Sequence, residues 1–161
     1  MAFASEIDAS RLLTGLAEDE RLLDAAYRGA ARGFGMPDCA MWVLYFLAIA
    51  DAPLTQQGLC GLMMYPKQTV NSSVAKLRAQ GLVELVPAPG AGHAKHVALT
   101  EAGAETAEAT VLRLRAAEER ALASMGEGDM TRFSQLYRRF REAVQAELAA
   151  EGLVDAPEAG R

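Results

Sequence analysis

The sequence predicts a mainly α-helical fold with one small β-hairpin. Three observations carry that reading. Within Leu54–Leu99, two short helical patterns joined by a turn are followed by two strand patterns around a Gly/Pro tip. The second helical pattern, Pro66 to Arg78, sets Val70, Val74 and Leu77 in one stripe and leaves polar or basic side chains on its other faces. Long apolar stripes at helical spacing precede and follow this segment. Together they describe a winged helix-turn-helix between long N- and C-terminal helices.

The elements follow in order. Ala9 to about Ala31 reads as a helix with Leu12, Leu16, Leu23, Tyr27 and Ala30 along one side, broken by Gly33 and Gly35. Pro37 stands near the start of the next helix, where its missing N–H costs little. From about Asp38 to Ala50 the chain is apolar nearly all round, so this helix is expected to be the central post of the fold, ended by Asp51-Ala52-Pro53. Thr55 is expected to N-cap the first helix of the turn motif, which points Leu59, Leu62 and Met63 inward. Gly81 stops the second helix as a left-handed cap would.

Leu82 to Val86 then forms a strand, Pro87 to Gly92 the tip, and His93 to Leu99 the partner strand. Pro87 and Pro89 are confined to an unpaired edge or the loop, because neither can donate to a ladder. Thr100-Glu101 opens one long helix to about Met125, striped by Val111, Leu114, Ala117, Ala121 and Met125. Gly126 and Gly128 interrupt it, and Asp129 is expected to N-cap a last helix to about Ala150, striped by Phe133, Leu136, Tyr137, Phe140, Val144 and Leu148. From Gly152 the tail is small, acidic and Pro-bearing, and is expected to fray.

Composition narrows the function. The 161 residues are 51% hydrophobic and 23% charged, enough for one core and unlike a disordered chain. The longest nearly apolar run, Cys39 to Ala50, is too short to span a bilayer, and the N-terminus lacks the residue order of a secretory signal. The chain is therefore read as soluble and cytoplasmic, with no membrane partner. Cys39 and Cys60 fit no metal spacing and no disulfide framework, and are read as buried structural thiols. His93 and His96 have no acidic or cysteine partners nearby, so neither a metal site nor a cofactor is expected. No nucleophile–base pair, phosphate loop or carboxylate dyad is recognisable, and an enzyme is not expected.

The polar face of the second motif helix points to duplex DNA. Lys67, Gln68, Thr69, Asn71, Ser72 and Lys76 offer amides suited to base edges, and hydroxyls and ammoniums suited to phosphate oxygens. Thr55, Gln56 and Pro66 are expected in the same interface, with His93 and Lys95 from the wing. The net charge of −5 is unevenly spread: Leu54–Leu99 carries four cations against Glu84 alone, a net +3, which leaves −8 for the rest. Binding answers to the local field, so a basic reading face on an acidic scaffold is consistent with DNA. The rival reading is a winged-helix protein-interaction module without specific DNA reading.

At this point the chain resembles the multiple antibiotic resistance regulator (MarR) family of winged-helix transcription factors, over almost everything from residue 10 to 150. The resemblance rests on the element order and on local strings: Met41-Trp42-Val43-Leu44-Tyr45, Pro53-Leu54-Thr55-Gln56, Lys67-Gln68-Thr69-Val70-Asn71-Ser72, Lys76-Leu77 with Gly81-Leu82-Val83, and Val97 through Gly103. It implies an obligate homodimer with interlocking terminal helices, a recognition helix from about Pro66 in the major groove, and a wing reaching the adjacent minor groove. It also implies a repressor acting on a palindromic operator, released by a small aromatic or phenolic effector. One departure is visible: relatives often carry a wing arginine, and Gly90 to His96 contains none, leaving Lys95 with His93 for that role.

Two assignments stay open between function and packing. Leu12, Leu16, Phe133, Leu136, Tyr137, Phe140 and Val144 exceed what a winged helix of this size needs for its core, and serve either a dimer interface or further packing within the monomer. Tyr45, Phe46, Met63 and Trp42 either line an effector pocket or simply pack the central helix. The expected organisation is a single domain over 1–161, with dimerisation helices at 9–35 and 100–150. A winged helix-turn-helix DNA-binding region occupies 36–99, and a flexible tail 151–161.

Overall fold

The computed structural model describes residues 8–87 and 95–154. The chain divides into two compact units, Met1–Leu114 and Arg115–Arg161. The first begins with helix α1 (Ala9–Gly33), which Asp8 caps by accepting the Ser10 amide at 3.0 Å. Helix α2 (Asp38–Ile49) follows and is the post that the sequence suggested. Met41, Val43 and Leu44 are completely buried, and α2 touches α1, α3, α4, α5 and strand β3. A side chain is welcome in every direction around such a helix only if it is apolar, which is how its sequence reads.

The helix-turn-helix is α3 (Gln56–Leu62) and α4 (Lys67–Ala79). Thr55 caps α3 by accepting the Gly58 amide at 3.0 Å. Leu59 and Met63 turn inward as expected, but Leu62 does not: it is 51% exposed. A helix of seven residues has two turns, too few for a stripe to fix which of its apolar residues face the core. Val70, Val74 and Leu77 of α4 are buried, and α4 ends in a Schellman turn, with Gly81 at φ +75° and the Leu82 amide on the Leu77 carbonyl at 2.9 Å.

The wing strands are β2 (Val83–Pro87) and β3 (Lys95–Leu99), paired antiparallel. A third strand, β1 (Leu54–Thr55), was not expected; it pairs with the other edge of β3, giving the order β1-β3-β2. Leu54, Val97 and Leu85 stand in one row across it, with Val97 buried at the centre. The expected tip, Pro87 to Gly92, is described only at Pro87, which ends edge strand β2; His93 also lies outside the described residues.

The expected long helix from Thr100 is two helices, α5 (Glu101–Ala109) and α6 (Val111–Ala123). Thr110 breaks it at φ −127°, ψ −86°. Its hydroxyl donates to the Thr106 carbonyl at 2.6 Å, the same back-bond that Thr14 and Thr106 make inside unbroken helices. Thr100 caps α5 through the Gly103 amide, and Gly103, Ala107 and Val111 are buried in the core. The first unit therefore runs past residue 99, through α5 to Leu114. Of the expected stripe, Ala117, Ala121 and Met125 remain exposed.

In the second unit, α7 spans Glu127–Ala150 and buries none of its side chains. Its N-cap is Gly126 at φ +81°, not Asp129, which sits with Glu127 in the first turn. Only glycine takes that backbone without strain, so the glycine rather than the acid sets the start. Gly152 at φ +69° closes the helix, with the Leu153 amide on the Leu148 carbonyl at 2.9 Å, so the chain to Val154 forms a cap where fraying was expected. Among the described residues no helix is long and apolar enough to cross a membrane, and no cluster of metal-ligating side chains is present.

Candidate nucleic-acid interface

Helix α4 is anchored on one side by Val70, Ser73, Val74 and Leu77. At 100° per residue the direction opposite that anchor belongs to Gln68, Ser72, Ala75 and Ala79. Asn71 and Arg78 flank this ridge on one side, Lys76 and Thr69 on the other, and Lys67 stands at the helix start. Lys67, Gln68, Thr69, Ser72 and Lys76 are exposed, and Asn71 is half-buried. The structure therefore gathers six of the sequence-derived candidates on the free faces of one helix. Arg78, exposed in the last turn, adds a cation to them.

The other candidates are placed differently. Pro66 is the exposed N-cap residue of α4, its carbonyl accepting the Thr69 and Val70 amides at 2.8 and 3.2 Å. Thr55 and Gln56 are half-buried at the start of α3, and the Thr55 hydroxyl already serves the cap. Lys95 is exposed at the start of β3, opposite Pro87. His96 is half-buried between Thr55 and Val86.

Beneath α4 the packing includes polar groups. The buried Ser73 hydroxyl meets the Cys39 thiol; burial pushes that thiol above its ordinary pKa, opposed in part by the Ser73 bond. Cys39 is buried and free, Cys60 half-buried and free. Just before α4, the Tyr65 hydroxyl donates to Oδ2 of Asp38, the first residue of α2. Burial first, and this bond second, push the Tyr65 pKa above its ordinary value. Neither Tyr65 nor Asp38 stood out in the sequence, since 27 residues separate them.

Tyr65 also walls a cleft of about 410 Å³ in the first unit. Trp42, Phe46 and Met63 line it, as does the outward Leu62, with Asp24 and Arg28 of α1 paired at 2.8 Å. Tyr45 is not part of the lining: it is buried, with its ring edge-on to Trp42 and Phe46 at 5.2 and 5.7 Å. A volume of this size with apolar walls and a few polar groups suits a small organic molecule.

The residues named for dimerisation are all open to solvent. Leu12 and Leu16 are 54% and 40% exposed on α1; Phe133, Leu136, Tyr137, Phe140 and Val144 are exposed by 37–57% on α7. Phe133 and Tyr137 stack on each other at 5.9 Å.

Residues 34–92, from just after α1 to beyond strand β2, match the model of the MarR family. Among solved structures, the chain is similar to NMB1585, a MarR family regulator from Neisseria meningitidis, with 21% identity over 87% of this chain and 98% of that one and a TM-score of 0.73. It is similar to AbsC, a MarR family transcriptional regulator from Streptomyces coelicolor, with 18% identity over 91% and 99% and a TM-score of 0.69. NadR in complex with 4-hydroxyphenylacetate shares the fold at 16% identity over 87% and 97%, with a TM-score of 0.66. No curated protein matches the chain.

Proposed function

We infer that this chain, whose residues 34–92 match the MarR family model, is a sequence-specific DNA-binding regulator of transcription that acts as a homodimer. The observation that carries this reading is α4, whose buried side is fixed by Val70, Val74 and Leu77 while Gln68, Ser72 and three cations stand exposed beside the half-buried Asn71. In the major groove Gln68 and Asn71 pair with base edges, and Lys67 and Lys76 hold phosphates. Lys95 brings the wing to the neighbouring backbone.

The exposed apolar side chains of α1 and α7 supply the dimer contacts, and two copies read the halves of a palindromic operator. Occupying that operator makes the protein a repressor. The cleft beside Trp42, Phe46 and Met63 takes a small aromatic or phenolic effector that releases DNA, a reading supported by the aromatic acid bound to NadR.

Selection of retained fragments from random duplex DNA, followed by salt-dependent gel shifts, tests this function. Recovery of one palindromic motif is the expected result. A protein that retains no duplex above background at low salt refutes DNA reading and leaves the interaction-module alternative. Sedimentation at micromolar concentration tests the assembly, and a well-behaved monomer there overturns the dimer.

A further inference from the structure

Helix α4 is held unequally at its two ends. Its C-terminal end closes in the Schellman turn at Gly81, and the Thr100 hydroxyl donates to the Gly81 carbonyl at 2.6 Å. Its N-terminal end has no capping side chain, because Pro66 occupies the N-cap position. The nearest side-chain tie is the one from Tyr65, one residue earlier, to Asp38 on the buried post α2. Asp38 depends on that bond: its other oxygen, Oδ1, is buried and meets no donor among the described residues. Removing the phenol hydroxyl leaves the half-buried Asp38 carboxylate with its buried Oδ1 unpaired and Oδ2 without its donor, which the chain relieves by moving the turn or the acid.

We propose that Tyr65, through its hydrogen bond to Asp38, is a positioning residue that sets where the first turn of α4 lies. Tyr65 touches no base; it acts through Gln68 in the first turn of α4. The effect on DNA rests on the proposed reading of α4, whereas the effect on α4 itself does not.

Amide hydrogen exchange on the full chain without DNA reads the positioning directly. In Tyr65→Phe the Thr69 and Val70 amides, both bonded to the Pro66 carbonyl, exchange at least tenfold faster, while those of Val74 and Leu77 stay within twofold. Asp38→Asn keeps an acceptor for the phenol and stays within threefold of the parent. Asp38→Ala reproduces Tyr65→Phe, serves in its place if that variant does not fold, and adds nothing to it in the double variant.

On DNA, Tyr65→Phe loses about tenfold in the ratio of preferred to scrambled duplex, with scrambled-duplex affinity and salt dependence within twofold of the parent. Unchanged exchange at Thr69 and Val70, uniform acceleration along α4, or an Asp38→Asn variant as impaired as Asp38→Ala each overturns the proposal. If exchange responds and the parent selects no duplex, the positioning stands and DNA reading falls. If the parent selects a duplex and Tyr65→Phe alters neither exchange nor ratio, the positioning falls and DNA reading stands.

Discussion

A Cβ built on Gly103 would lie 1.8 Å from the carbonyl oxygen of Leu82, so α5 rests directly on the backbone that leads into the wing. The same carbonyl accepts the Thr100 amide at 3.1 Å, which fixes the approach. No side chain fits between the two elements. Gly103→Ala must push backbone away from backbone, and it is expected to cost about 3 kcal/mol, the upper end for overpacking. Urea unfolding measures it; a loss below about 1 kcal/mol would mean that α5 shifts without resistance.

Base reading and phosphate holding are expected to separate on α4. Gln68→Ala should cost about 1–3 kcal/mol on the preferred duplex and relax preference at one position. Lys67→Ala and Lys76→Ala should weaken every duplex alike and reduce the salt slope by about one unit each. Gel shifts on preferred and scrambled duplexes across a salt series distinguish the two. Equal loss on all sequences for Gln68→Ala would remove it from base readout.

At the wing, Lys95→Ala should lower affinity for all duplexes without altering preference between A/T-rich and G/C-rich flanks. An ammonium is strongly hydrated and enters a narrow minor groove less readily than a guanidinium. Binding compared across flanking sequences tests this, and lost flank discrimination would show that Lys95 reads sequence.

The two thiols should differ in reactivity. At pH 8 iodoacetamide should modify Cys60 first, because burial keeps Cys39 protonated and covered. The shifts also give a direction to alkaline stability. Cys39 and Tyr65 both have folded-state pKa values raised above the ordinary 9.0 and 10.0. Their contribution is complete below those ordinary values and is lost as pH rises past them, because the unfolded chain ionises first. Melting temperature should therefore fall from about pH 9 upward, and Tyr65→Phe should remove the part that begins near pH 10. A melting temperature that stays level to pH 11 would contradict the assignment.

What the sequence made legible was periodic or local. Val70, Val74 and Leu77 repeat along one helix, Thr55 caps three residues ahead of itself, and Gly81 ends α4 where a left-handed residue was needed. What escaped depends on partners distant in the chain or on competition between neighbours. Strand β1 is two residues long and exists only because β3 lies beside it. Leu62 faces outward since a seven-residue helix fits its apolar residues in more than one rotation. The Thr110 break rests on the backbone dihedrals of one residue, which the apolar stripe does not register, and Gly126 displaced Asp129 by supplying a backbone that aspartate disfavours. The Tyr65–Asp38 pair had no sequence signal, while Tyr45 shared one with Trp42 and Phe46 that did not say which rings face the cleft.

If the tie at Tyr65 is lost, α4 is expected to pivot about its end at Gly81, with the largest displacement at Lys67. Thirteen residues of helix are about 20 Å long, so a tilt of about 10° moves the far end by about 3–4 Å and the region of Lys76 by only about 1 Å. A hydrogen bond to a base edge tolerates far less than the larger displacement, while an ammonium on its flexible four-carbon stem, at Lys67 as at Lys76, follows a phosphate. On duplex DNA this ordering separates two kinds of release. On the proposed reading, a disturbance at the Tyr65 end is expected to erase the sequence preference while the grip on the backbone persists, so that the protein would become a sliding, unselective occupant before it became a free one.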